Sequence, residues 1–297
     1  MDWDKLKTFH AAAEAGSLTG AAELLNLSQS AVSRQISALE DDLGVKLFHR
    51  HPRGLLLTEP GRLLFAAAHE MAAKVAAAES LVHDTRDEPT GLLRVTAPTA
   101  MGAIWLAPRL ARFREAYPQI RVRLILADNE LDIANLEADA AIRPWPATQN
   151  ELIQRKLMDV SQHLYASHGY LEARGAPADA AGLDAHDMVA YGPRHLAPIP
   201  NLNWHLTIGR PDGAPPREPA VEVNTINGIM KAAEAGMGVA SLPDYVAREN
   251  ERLARVLPEI EGPPFETYFI YPEELKGSRR VTAFREFLVE EARRWKR

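Results

Sequence analysis

The stretch "NLSQSAVSRQISALEDDLG", residues 26–44, has the apolar spacing of an amphipathic helix but an unusual polar side. At about 100° per residue, Val32, Ile36, Leu39 and Leu43 fall in a stripe roughly 60° wide, which is a core face. Gln29, Ser30, Ser33, Arg34 and Ser37 occupy a separate sector centred about 120° away. A merely solvated face would carry Lys and Glu; this one carries hydroxyls, an amide and a guanidinium, groups suited to touching a polar partner. Ser28 can cap the first turn and Gly44 can adopt the left-handed conformation that ends a helix, so the helix is predicted over about Gln29 to Leu43.

Upstream, the spacing predicts a helix from about Trp3 to Ala15, with Leu6 and Phe9 inward and Gly16 stopping it. A second is predicted from about Gly20 to Leu25, capped by Thr19, with Ala21 and Ala22 small enough for close packing. Asn26-Leu27 then turns into Ser28. Two helices joined by a tight turn, the second with polar reach, form the helix-turn-helix plan. Downstream, "VKLFHRHPRGLLLT" (residues 45–58) alternates, turns at His51-Pro52-Arg53-Gly54 and alternates no further, a β-hairpin with Arg53 at its tip and Arg50 beside it. Such a wing can set guanidinium groups on phosphates or in a narrow minor groove. Gln can pair with adenine, Arg with guanine or phosphate, and serine hydroxyls with phosphate. The candidate DNA contacts are therefore Ser28, Gln29, Ser30, Ser33, Arg34, Ser37, Arg50 and Arg53.

Charge alone does not announce this partner. The 297 residues carry a net charge of −6, and 46% hydrophobic with 25% charged content is an ordinary globular composition. Residues 1–58 hold six basic against seven acidic side chains, so placement of charge must count for more than amount. The absence of cysteine excludes disulfides, thiolate zinc sites and iron–sulfur clusters. The N-terminus lacks an apolar leader and no run approaches the length of a membrane span, so a cytoplasmic protein is expected, with no membrane partner.

The segment "FHAAAEAGSLTGAAELLNLSQSAVSRQISALEDDLGVKLFHRHPRGLLLTEPG" resembles the winged helix-turn-helix of LysR-type transcriptional regulators, in order and spacing, over about residues 3–61. The resemblance implies that Gln29, Ser33 and Arg34 meet DNA from the recognition helix and Arg53 from the wing. It sets residues 1–58 as the DNA-binding domain. It also implies a homodimer and a homotetramer reading an interrupted inverted repeat, with RNA polymerase as a candidate further partner.

Thr58-Glu59-Pro60 starts another helix, with a capping hydroxyl and Pro in the first turn, and no stop precedes Pro89. Over Glu59 to Asp87 it would be on the order of 40 Å long. Leu64, Ala68, Met71, Val75, Ala78 and Val82 follow steps of four and three, the seam of a coiled coil. By itself this pattern fits either a second chain or the protein's own body; the resemblance implies a dimer-forming linker. "DTRDEPTG" (84–91) is polar and closes with Pro and Gly, so a hinge ends this linker segment at residue 91.

Residues 92–297 alternate short β-rich runs with helices, the pattern of an α/β domain. The resemblance implies a sensor of periplasmic-binding-protein type: one subdomain of about residues 92–160 plus the C-terminal helix, a second of about 161–267, and an effector cleft between them. No G-x-S-x-G elbow, P-loop or H-E-x-x-H is present, so no catalytic residue is assigned and no enzyme is expected. The histidine pairs His49/His51 and His163/His168 lack carboxylate or thiolate company, so no metal site is assigned. The rival architecture is a solute-binding or enzymatic α/β protein with a helical appendage.

"APTAMG" (97–102) ends a strand at Pro98 and enters a helix, so Thr99, Ala100 and Met101 would offer a hydroxyl and backbone N–H groups to an anion. Asn224-Thr225 makes a similar transition, and Arg143 and His168 could stand at the cleft rim. For Arg143, His168 and Asn224, capping and structural hydrogen bonds are equally compatible with the sequence. No cofactor is expected; the effector class these groups suggest is a small carboxylate or amino acid.

Overall fold

The computed structural model describes residues 2–51, 54–83, 88–128, 133, 138–193, 195 and 197–295. The chain divides into two units, Met1–Val82 and His83–Arg297.

In the first unit, α1 (Trp3–Ala15) is capped by the Asp2 side chain and ends at Gly16. Helix α2 (Leu18–Leu25) begins two residues earlier than the sequence suggests. Its cap is Ser17, whose hydroxyl accepts the Gly20 amide at 3.0 Å, and Thr19 lies inside the first turn. A hydroxyl reaches the N–H three residues ahead, so the residue at 17 and not the one at 19 satisfies the free donor at Gly20. Helix α3 (Gln29–Leu43) runs from a Ser28 cap, which accepts the Ala31 amide at 3.2 Å, to Gly44 at φ 69°. Val32, Ile36 and Leu39 are buried with Leu6, Phe9, Ala12, Ala21, Leu47 and Phe48 in one cluster. Leu43, expected in the same stripe, is 40% exposed: the stripe outruns the helices it packs against.

The wing is β1 (Phe48–His51) antiparallel to β2 (Gly54–Leu57), with Phe48 opposite Leu57. Pro52 and Arg53 lie outside the described residues. Helix α4 (Glu59–His83) follows, 25 residues or about 37 Å at 1.5 Å per residue. The Thr58 hydroxyl accepts the Gly61 amide at 3.0 Å and donates to the Lys46 carbonyl at 2.7 Å, fixing the helix start to the base of the wing. Gly61 is required by contact: a Cβ there would lie 2.1 Å from the Leu47 carbonyl oxygen.

The expected six-residue seam on α4 divides. Ala68 is 3% exposed inside the first unit's own core, and Leu64 and Phe65 pack on the same cluster. Those two seam positions are used within the chain, because the first turns of α4 cover α1 and the wing. Met71 and Val75 are each 43% exposed, and Ala78 is exposed. The Val82 side chain and residues 84–87, where the hinge is expected, are outside the described residues.

The second unit is built on one nine-stranded sheet. Its elements in order are β3 (Gly91–Ala97), a six-residue π-helical turn (Met101–Leu106), α5 (Ala107–Ala116), β4 (Ile120–Leu126), β5 (Ala140–Arg143), β6 (Leu152–Ser167), α6 (His168–Arg174), β7 (Met188–Tyr191), β8 (Val221–Val223), α7 (Ile226–Glu234), β9 (Val239–Pro243), α8 (Asp244–Ala247), β10 (Leu253–Val256), β11 (Gly262–Pro272) and α9 (Arg279–Trp295). The strand order is β4-β3-β5-β11-β6-β9-β7-β8, with β10 also on β6. On one side β3 pairs in parallel with β4 and β5; on the other β7 pairs in parallel with β8 and β9. The 16-residue β6 joins them: Leu152 to Gln162 lie against β11, and Gln162 to Tyr165 against β9. Helix α9 returns to the first side, where Phe284 meets Phe113 of α5 edge-on at 5.1 Å and Phe269 of β11 at 6.0 Å.

Candidate functional site

The polar sector of α3 stands as the sequence suggests. Gln29, Ser30 and Arg34 are exposed, Ser33 and Ser37 half-buried. Ser28 is exposed but doubly engaged, as helix cap and with its hydroxyl 3.0 Å from that of Ser30. Gln35 turns away from this face and accepts from the Thr8 hydroxyl of α1. Arg34 makes no ion pair among the described residues. Arg50 belongs to β1, and its side chain, like all of Arg53, is outside the described residues.

Of the three acidic residues near the end of α3, Glu40 and Asp42 are paired, whereas exposed Asp41, at about 180° from Val32 on the wheel, shares the angular sector of Ser30 and Arg34. Asp42 bonds Lys5 at 2.8 Å. Glu40, 6% exposed, accepts the Leu47 amide at 2.9 Å, the Phe48 amide at 3.4 Å and Lys46 at 2.7 Å. Burial pushes the Glu40 carboxyl up, but Lys46 and the two amides outweigh it, and the group is held below the usual carboxylate range. Arg34 stands exposed on the polar face of a slightly negative domain, with no ion pair among the described residues. Glu40 was invisible to sequence reasoning as a positioning group. On the wheel it falls between Gln29 and Ser33, at the edge of the polar sector, so periodicity carried no signal for it.

In the second unit, the end of β3 and the crossing strands enclose a tight crevice with no room for a water molecule, and Thr99 is not among its lining residues. Pro98, Met101 and Arg143 line it from one side of the sheet, and Ile199, Tyr245 and Thr267 close it. Arg143 is 3% exposed and donates to the Thr96 hydroxyl at 3.2 Å and the Ile142 carbonyl at 3.3 Å. Ala100 and Met101 are buried. The turn is already partly answered: the Thr99 amide donates to Asp128 at 2.8 Å, so a carboxylate sits where the sequence suggested an anion would dock. The Thr99 hydroxyl makes no hydrogen bond among the described residues. Burial, and then the Asp128 charge, push the phenols of Tyr191 and Tyr245 up.

Other expected contacts are not brought here. His168 lines a different hollow, with Tyr170, Arg174, Asp187 and Gly236. Thr225 caps α7, accepting the Gly228 amide at 3.1 Å, and Asn224 is exposed beside it. His163 lies 2.6 Å from Asp244, which also accepts from the Tyr165 hydroxyl at 3.1 Å, and none of the three lines His168's hollow. Tyr245 and Asp128 were missed. "SLPDYV" repeats the strand-proline-helix form of "TAPTAMG" and was the available signal for Tyr245.

Residues 3–62 match the model of the bacterial regulatory helix-turn-helix protein of the lysR family, and residues 86–293 match the LysR substrate binding domain. The chain belongs to the LysR family. The HTH-type transcriptional regulator PtxR of Pseudomonas aeruginosa is 33% identical to this LysR regulator, over 98% of this chain and 93% of its own. Full-length AphB of Vibrio cholerae is similar in structure, with a TM-score of 0.62 at 26% identity over 98% and 99% of the two chains. CbnR, solved with its target DNA, shares the fold with a TM-score of 0.66 at 22% identity over 99% of each chain. This LysR regulator is a sequence-specific DNA-binding transcriptional regulator, and its sensor domain responds to a small-molecule effector. No helix among the described residues is long and apolar enough to cross a membrane.

Proposed function

We propose that residues 1–58 read DNA through Gln29, Ser30, Ser33, Arg34 and Ser37, with Ser28 setting the helix start and Arg50 and Arg53 reaching the backbone or minor groove from the wing. The observation that carries this reading is the exposed Arg34, without an ion pair among the described residues, amid short polar side chains on α3. Residues 59–91 link and dimerise through the exposed Met71, Val75 and Ala78, with Val82 continuing the same seam, and pairs of reading heads meet two half-sites of an inverted repeat. A homotetramer, with RNA polymerase as a further partner, completes this assembly. Gel-shift titration of the full chain against the DNA upstream of its own gene tests it: saturable, salt-sensitive binding supports the reading, and none at low salt overturns it.

In residues 92–297 the effector enters beside Thr99, Met101, Arg143 and Tyr245, and its better fit to one arrangement of the two sides of the sheet shifts the population of the regulator. With Asp128 already at the turn, an amino acid, whose ammonium group answers that carboxylate, fits better than a bare carboxylate. A thermal-shift screen of amino acids and small carboxylates on the full chain tests this. Stabilisation by carboxylates alone would overturn the preference.

A further inference from the structure

His10 of α1 and His69 of α4 meet inside the first unit, with His10 Nε2 2.9 Å from His69 Nδ1. Phe65 stacks on His10 at a centroid distance of 5.3 Å and an interplanar angle of 12°, and lies 5.5 Å from His69. Both rings are half-buried. At that separation one nitrogen must carry a hydrogen and the other a lone pair.

One neutral arrangement leaves no hydrogen on the buried His69 Nε2. His69 Nδ1–H donates to His10 Nε2, which leaves the hydrogen of His10 on Nδ1, facing Glu14 Oε2 at 3.9 Å. His69 Nε2, buried without a hydrogen-bond partner among the described residues, then holds only a lone pair. Any added proton changes this. Charging His69 puts a hydrogen on Nε2 directly, and charging His10 reverses the shared bond and moves the His69 hydrogen to Nε2. Both leave a buried donor without an acceptor.

We propose that His10 and His69 form a proton-sensitive latch, closed while both rings are neutral, that holds the linker helix α4 against the DNA-reading helices and loosens on acidification. Burial is the main influence lowering the proton affinity of His10, with His69 adding to it and Glu14 on its own helix opposing. Helices α2 and α3 and strand β2 also pack near α1, and among the described residues the charges that act on His10 are those of Glu14 and His69. A histidine whose folded pKa is depressed contributes stability that is present above the unfolded value, about 6.5, and is lost as pH falls through the folded value. The consequence for DNA, that acid alters how α4 presents the reading heads, rests on the dimeric reading above; the latch itself does not.

The test uses the full chain and no DNA. Histidine side-chain NMR between pH 8 and 5 follows the two rings in the wild type, and hydrogen exchange at pH 7.5 and 5.5 compares the start of α4 in the wild type and in His10→Phe/His69→Phe, which keeps the ring stack. The expected result is that His10 takes its proton below the ordinary imidazole range and that the shared hydrogen bond changes as it does. Protection over residues 59–72 should also fall about tenfold further in the wild type than in the variant, the scale of one proton over one pH unit. His69→Gln serves the same comparison if the double replacement does not fold. Titration of His10 at the ordinary imidazole value, or equal loss of protection in both proteins, overturns the latch.

Discussion

Glu40 Oε1 lies 2.9 Å from the backbone nitrogen of Leu47, so the end of the reading helix and the base of the wing share one buried carboxylate. The same side chain holds Lys46 at 2.7 Å. Helix and wing must be fixed relative to each other to meet one DNA surface, and this carboxylate bridges the turn between them.

Glu40→Ala is expected to destabilise the first unit by about 1–3 kcal/mol, because two buried amides lose their acceptor. Urea unfolding of wild type and variant measures it. The pH dependence has a definite sign: with its folded pKa depressed, Glu40 stabilises above its unfolded value, and this contribution disappears as pH falls through the folded value. An acid-unfolding midpoint unmoved by Glu40→Gln would contradict this role.

Arg34→Ala is expected to weaken operator binding by about 1–3 kcal/mol, with the oligomeric state unaltered. Arg53→Ala, on the wing, should lower affinity more evenly across DNA sequences and reduce its salt dependence. Gel shifts on operator and scrambled duplexes separate the two effects; equal affinity of both variants and wild type would remove the proposed face.

Two residues on one helix are expected to behave oppositely. Val75→Lys places charges against each other at the proposed seam and should dissociate the assembly while leaving the fold intact. Ala68→Lys should instead unfold the first unit, since Ala68 is 3% exposed within its own core. Sedimentation and circular dichroism distinguish dissociation from unfolding. An unaltered sedimentation profile for Val75→Lys would place the subunit contact elsewhere.

Thr99→Val keeps the shape of the turn and removes the hydroxyl, leaving the amide bond to Asp128 in place. Effector affinity should fall by about 1.5–3 kcal/mol, typical of a hydrogen bond to a charged group, with effector-free DNA binding nearly unaltered. Calorimetry with the effector found by thermal shift decides it, and equal affinities would move the pocket away from this turn.

Gly61→Ala should destabilise the junction of wing and linker, because the added Cβ would lie 2.1 Å from the Leu47 carbonyl oxygen. Thermal unfolding reads this directly. An unchanged midpoint would mean that the close approach relaxes without cost.

Much of the local chemistry, where a residue's partner lies within one or two turns of chain, was legible, although the cap of α2 is Ser17 and not the expected Thr19. The α3 limits, its Ser28 cap, its Gly44 stop and its polar sector follow from periodicity and from the reach of a hydroxyl. The wing and the Thr58 start of α4 are local in the same way. Tertiary structure decided what depends on partners far apart in sequence. Leu64 and Ala68 share the heptad spacing of Met71 and Val75, and only the packing of α1 and the wing assigns the first two to the chain's own core. Asp128 reaches the Thr99 amide from 29 residues away, and His69 reaches His10 from 59. Periodicity reports which face a side chain takes, whereas the identity of what covers that face is fixed only when distant segments are brought together.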